Sequence, residues 1–301
     1  MSERQPARTE RRVRTSDGVE LHVAIRGDGP VTVVLAHGWT LDTRVWEPVA
    51  ARLAGSARVV TYDHRGHGRS GAAPVGTMTL ERLADDLAAV ITEVAPEGSV
   101  VLGGHSMGGM TAMALAERHP HVVPRVRGLA LVSTASGGLA GHTLGLRPGA
   151  AAVVRVVERR LYAARGWARR PRIAGPRALA PALRWLLLGR DADATARRLT
   201  YAAVASCRPA TVSGFRPALD AHERDAALAA FADVPAVVLV GSRDRLTPVS
   251  SARRIVAALP SAGLTIYPGA GHMLPVERVA AVAAHLSALV GGASTVADAG
   301  G

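Results

Sequence analysis

Apolar residues fall into two alternating rhythms along this chain. Short unbroken runs such as "VTVVLAHG" (31–38), "GSVVLGG" (98–104), "VRGLALVSTA" and "VPAVVLVGSRDRLTP" predict strands buried on both faces. Between them, apolar positions recur at helical spacing. After Thr79, Leu80, Leu83, Leu87, Val90, Ile91 and Val94 share one face. "RVWEPVAARLAG", "MGGMTAMALAERHP" before Pro120, "VSSARRIVAALP" and "LPVERVAAVAAHLSALV" read the same way. "RRVRTSDGVELHVAIRG" alternates around Asp17-Gly18 and predicts a hairpin. "ARVVTYDHRGHG" and "AGLTIYPGAGH" each add a strand followed by a glycine-rich loop. Alternating strands and helices predict an α/β fold with a mostly parallel central sheet and helices on both faces.

The rhythm breaks at "SGGLAGHTLGLRPG". From 137 to 232 the pattern is helical, rich in Arg, Ala and Leu. The predicted organisation is therefore a core of 11–136 plus 233–292, a helical insert over 137–232, and loose ends at 1–10 and 293–301.

Composition narrows this picture. Aromatic residues are 3% of the 301, so the core rests on Ala, Val and Leu. The chain contains no lysine, so all 36 basic side chains are arginine and the net charge is +12. The arginines are dispersed and not interleaved with aromatics, which argues against a nucleic-acid surface. Cys207 is the only cysteine, so no intrachain disulfide can form. No apolar run reaches the ~20 residues of a membrane span, and "MSERQPARTERRVR" lacks the apolar core of a secretory signal. A cytoplasmic protein without stable membrane insertion is expected.

Candidate chemistry centres on "VLGGHSMGGM" (101–110). Gly104-His105-Ser106-Met107-Gly108 fits G-x-S-x-G at the junction of a predicted strand and helix. That is where a nucleophile elbow holds its serine in a strained, exposed pose. The flanking glycines remove Cβ atoms that would clash, and the Met107 amide opens the helix, where donors and dipole favour negative charge. A serine needs a base to take its proton. Among eleven histidines, His272 in "YPGAGHMLP" follows the last predicted strand at the edge where Ser106 should emerge. His105 should point away from the site, His119 and His121 flank Pro120 at a helix end, and His22 and His285 fall inside elements. Asp244 in "VLVGSRDRLTP" follows the preceding strand and is the expected carboxylate that orients His272. Asp220, Glu223, Asp225 and Asp233 read as surface charge.

In their order and spacing, "AHGW", "DHRGHGRS", "GHSMGG", "GSRDRLTP" and "GAGH" make the chain resemble the α/β-hydrolase superfamily over residues 11–292. The resemblance implies a Ser106–His272–Asp244 triad and an oxyanion hole built from the backbone amides of Trp39 and Met107. It also implies a helical cap at 137–232, no metal or organic cofactor, and a small-molecule ester or related acyl substrate. Trp39, His105 and Met273 are the expected pocket lining. Haloalkane dehalogenases and epoxide hydrolases of this superfamily carry an aspartate where Ser106 stands, which argues against their reactions. Esterase, lipase, lactonase, thioesterase, carbon–carbon hydrolase, acyltransferase and cofactor-free haloperoxidase chemistry, or a ligand-binding receptor, remain compatible with the triad. In "DHRGHGRS" a glycine-shaped loop bracing the elbow is expected in preference to a metal site. The stretches "ALRWLLLGR" and "VVRVVERRLYAARGW" suggest an acyl pocket rimmed by arginine, or an apolar face with arginines snorkelling around it.

Overall fold

A computed structural model describes residues 8–140, 156 and 176–298. Strands β1 (Arg8–Arg14), β2 (Glu20–Arg26), β3 (Thr32–Ala36), β4 (Arg58–Tyr62), β5 (Val100–His105), β6 (Val126–Val132), β7 (Ala236–Gly241) and β8 (Gly263–Tyr267) form one sheet. Their spatial order is β1-β2-β4-β3-β5-β6-β7-β8. β1 and β2 run antiparallel to their neighbours, and every pairing from β4 to β8 is parallel.

The hairpin forms at its expected place because Gly18, at φ +84°, supplies the left-handed turn residue and donates to the Thr15 carbonyl. Pairing runs out to Arg8, so the expected loose end is three residues too long. No apolar pattern marks those residues, because β1 is an edge strand whose side chains are nearly all exposed. Backbone ladder bonds to β2, and not an apolar face, hold them.

The unbroken apolar runs occupy the sheet centre, where both faces are covered. Val34 and Ala36 of β3 point into one core cluster, and Val33 and Leu35 into the other. Helices α1 (Glu47–Leu53) and α9 (Val279–Asp298) cover the second face. Helices α2 (Leu80–Val94) and α3 (Met107–Arg118) cover the first. Thr79 caps α2 by accepting from the Arg82 amide 3.1 Å away. The last helix continues to Asp298, past the expected loose end at 293. Ala293 still packs in the core, and no proline stops the turn.

Between β6 and β7 the described residues contain helices α4 (Pro176–Leu187), α5 (Ala194–Ser206) and α6 (Pro209–Asp220) and no strand. The stretch 153–167 lies outside the described residues, apart from Val156, which is exposed. Helices α7 (Val249–Ala258) and α8 (Leu274–Glu277) complete the set. Among the described residues no helix is long and apolar enough to cross a membrane.

Parallel strands place all their C-terminal ends at one edge. The chain leaves β3 toward β4 on one side and leaves β5 toward β6 on the other, so the order reverses between these two strands. A crevice opens at such a switch point.

Candidate active site

The crevice is bordered by the residues just beyond β3 and β5. Ser106 follows β5 with φ +54° and ψ −120°, a conformation rare for a residue with a Cβ. Strain of this kind costs about 1–3 kcal/mol and is held by its surroundings. The Ser106 amide donates to the Val132 carbonyl at 3.0 Å, and the Thr134 hydroxyl donates to the Ser106 carbonyl at 2.7 Å. The neighbouring glycines matter for packing. A Cβ on Gly108 would stand 2.2 Å from the Ala36 carbonyl oxygen, and one on Gly104 would stand 2.5 Å from the Gly109 nitrogen. Only with hydrogen in those places can α3 start so close to β3. Ser106 itself stays half-buried.

Met107 is the first residue of α3, so its amide has no intrahelical acceptor. On the other wall, a Cβ built on Gly38 would lie 3.0 Å from the Ser106 Cβ, which puts the 38–39 backbone directly against the serine. A lattice of neutral histidines holds this segment. His37 donates from Nδ1 to the Gly38 carbonyl at 2.8 Å and accepts the His64 amide on Nε2 at 3.0 Å. His64 donates from Nε2 to the His37 carbonyl at 3.0 Å. His67 donates from Nδ1 to the Arg65 carbonyl and accepts the Thr40 amide on Nε2 at 3.3 Å. Burial drives the pKa of all three rings down, that of His67 to about 3. "DHRGHGRS" therefore braces the crevice. Its Asp63 accepts from the Thr43 and Arg69 amides and faces His22 Nδ1 at 3.1 Å.

Asp244 and His272 follow β7 and β8 and are both buried. His272 Nδ1 lies 2.8 Å from Asp244 Oδ2 and 3.0 Å from Oδ1. This contact places the proton on Nδ1 and leaves Nε2 as the basic nitrogen. The carboxylate also accepts the Leu246 and Thr247 amides on Oδ1 and the Thr247 hydroxyl on Oδ2, each at 2.9 Å. Burial alone would raise the pKa of Asp244. The His272 ring and these donors outweigh it and hold the carboxyl below its usual range.

Two side chains without a role in the sequence pattern hold this pair. Thr247 fixes the carboxylate; a threonine three residues beyond the acid, in "DRLTP", is the available signal. Glu277 accepts the Gly271 and Met273 amides on either side of His272, and also the Gly189 amide. Burial raises its pKa despite these donors.

Two of the expected pocket residues have no exposed surface. His105 and Met273 are both fully buried. His105 alternates away from Ser106 along β5 and donates from Nε2 to the His272 carbonyl at 2.9 Å. Met273 packs in the core cluster with Leu274 and Leu187. Trp39 remains half-buried, with the Arg216 guanidinium 5.9 Å from its ring. Cys207 is buried, which pushes its thiol up to about 12, away from nucleophilic use.

Known proteins resemble this chain in sequence and fold. The chain is 37% identical over 131 residues to the pimeloyl-[acyl-carrier protein] methyl ester esterase of Sodalis glossinidius, 43% of this chain and about half (47%) of that protein. The enzyme of the same title from Chromobacterium violaceum is 34% identical over 257 residues, covering 84% of this chain and 91% of its own. Among solved structures, a thermophilic esterase from Thermogutta terrifontis superposes with a TM-score of 0.72 at 26% identity, over 93% of this chain and 97% of that one. The family described as alpha/beta hydrolase fold matches residues 31–279, and this chain belongs to it.

Proposed function

We propose that this protein is a serine hydrolase that cleaves a carboxylic ester of a small, hydrophobic substrate. Ser106 is the nucleophile, His272 the base and Asp244 its orienting carboxylate. One observation carries the reading. One sheet edge carries both a half-exposed serine in a strained turn after β5 and, after β7 and β8, a buried imidazole–carboxylate pair whose Nδ1 and Oδ2 are 2.8 Å apart. The likeness to an esterase that spans 91% of its length supports the reaction class.

In this reading Ser106 Oγ attacks the ester carbonyl carbon and its proton passes to His272 Nε2. The carbonyl oxygen, now an oxyanion, accepts the amides of Trp39 and Met107, each such donor worth about 10²–10³ in rate. His272 returns the proton to the leaving alcohol as the C–O bond breaks. Water then attacks the acyl-enzyme by the same route and releases the acid and free Ser106. Asp244 holds the imidazole tautomer and stabilises its cation. The segment 137–232 acts as a cap over the core formed by 11–136 and 233–292, with Trp39 as the pocket residue. A clasp ties α5 to the oxyanion loop: Arg44 bridges Asp42 to Ser206 and to the Ala202 carbonyl.

The test is steady-state hydrolysis of p-nitrophenyl esters from acetate to dodecanoate, with fluorophosphonate labelling of the active serine. Ser106→Ala should lower kcat by about 10⁶ and abolish labelling while leaving the fold intact. A variant that keeps most of its activity would overturn the assignment.

A further inference from the structure

Helices α4 and α5, the loop between them and the loop after β7 line an open cavity of about 830 Å³. Five arginines line it: Arg184, Arg190, Arg197, Arg243 and Arg245. Among the described residues its lining contains no carboxylate, and Arg184, Arg190, Arg197 and Arg243 form no ion pair.

Much of the rest of the fold treats arginine differently. Arg65 pairs with Asp17 and Asp86, Arg69 with Glu10, Arg118 with Asp85, Arg224 with Glu81 and Glu117, and Arg254 with Glu223 and Asp225. A guanidinium keeps its charge at any ordinary pH, so this concavity, lined by five arginines, holds a focused positive potential.

The cluster is also held in place. The Arg190 amide donates to the Gly269 carbonyl at 3.2 Å, and the Arg243 amide to the Ala270 carbonyl at 2.9 Å. Two arginines far apart in sequence are thus tied to consecutive residues of one loop. Arg197 donates to the Ala192 carbonyl at 2.7 Å. The Arg245 guanidinium stacks 4.5 Å from the ring centre of Trp185, which is 43% exposed beside the cavity.

We propose that this cavity binds an organic diphosphate, a ligand that joins two adjacent phosphate groups to a flat ring. Planar guanidinium forks match phosphate oxygens two at a time. Several converging cations suit a ligand with more than one negative charge, and Trp185 offers a face for the ring. The volume lies within the range of small-ligand sites. Neither Ser106 nor His272 is among its lining residues, though Arg243 and Arg245 flank Asp244 in sequence.

Isothermal titration of the full chain with pyrophosphate and with ADP tests it. Both probes should bind saturably at one site. In R190Q/R243Q both should bind at least ~10-fold more weakly; R184Q, on an exposed side chain, is a second lesion of the same site. R127Q, an exposed arginine outside the cavity, should bind as the parent does. Trp185→Leu should weaken ADP and spare pyrophosphate. Saturable binding of neither probe, or binding undiminished by R190Q/R243Q, would overturn the proposal. Equal effects of Trp185→Leu on the two probes would overturn the ring contact. Binding to phosphatidylglycerol vesicles without binding soluble pyrophosphate would also overturn it, because the arginines would then serve a membrane surface.

Discussion

His105 donates from Nε2 to the carbonyl oxygen of His272 across 2.9 Å, and the two rings lie with centroids 4.9 Å apart. The residue beside the elbow serine thus grips the loop that carries the imidazole. His105→Leu removes the donor and leaves a buried carbonyl unsatisfied. We expect a loss of about 1–3 kcal/mol in chemical denaturation. The kcat for ester hydrolysis should fall more than KM changes, because the His272 loop is released while the pocket is not. Unchanged stability and unchanged kcat together would show that the contact does nothing.

Acid should unfold this protein cooperatively. His37, His64, His67, His105 and His222 are buried, and burial lowers the pKa of each, to about 3 for His67 and His105 and about 4 for His222. The unfolded chain takes up these protons near pH 6.5, and the folded chain does so only at lower pH. Stability is therefore intact above about pH 6.5 and is lost as pH falls toward the folded values. Each extra proton bound by the unfolded state contributes about 1.4 kcal/mol per pH unit. Against a typical stability of about 5–15 kcal/mol, several such protons place the midpoint near pH 4–5. Circular dichroism against pH measures it. A folded protein at pH 3 would contradict the neutral histidine lattice.

Thr247→Val tests the support of the carboxylate. The substitution keeps the shape and removes the hydroxyl that donates to Asp244 Oδ2. A hydrogen bond to a charged group is worth about 1.5–3 kcal/mol, so kcat should fall ~10- to 100-fold. Thr247→Ser, which keeps the donor, should restore most of it. Equal rates in the two variants would remove Thr247 from the mechanism.

Two glycines give opposite signs. Gly108→Ala would set a Cβ 2.2 Å from the Ala36 carbonyl oxygen, backbone that cannot move without shifting β3. It should cost about 3 kcal/mol or more, or prevent folding. Gly291 lies inside α9, and a Cβ there would meet nothing within 4 Å. Gly291→Ala should stabilise by about 0.5–1 kcal/mol through helix propensity. Thermal melts distinguish the two directly.

The strands and helices of the sheet are legible because each is written locally. A run such as "VTVVLA" needs apolar cover on both faces wherever it sits, and Thr79 can cap the helix after it without help from distant residues. β1 reads too short because an exposed edge strand carries no apolar pattern, only ladder bonds to β2. The His272–Asp244 pair is legible for a related reason. Each residue follows a parallel strand, and parallel strands share an edge. The full burial of His105 and Met273 is not legible, because proximity in sequence to Ser106 and His272 says nothing about which way a side chain turns. Alternation along β5 sends His105 inward, and core packing takes Met273.

The order of elements, the buried character of the central strands and the strand-end positions of Ser106, Asp244 and His272 were determined by the sequence, through short-range sterics and hydrophobic periodicity. Tertiary structure alone decided which ring braces which loop, that Thr247 holds the Asp244 carboxylate and Glu277 the amides beside His272, and that arginines from α4, α5, the loop between them and the β7 loop converge on one cavity. These contacts join residues up to 167 positions apart. No local pattern encodes such a meeting, because it exists only after the sheet has brought the ends of its strands together.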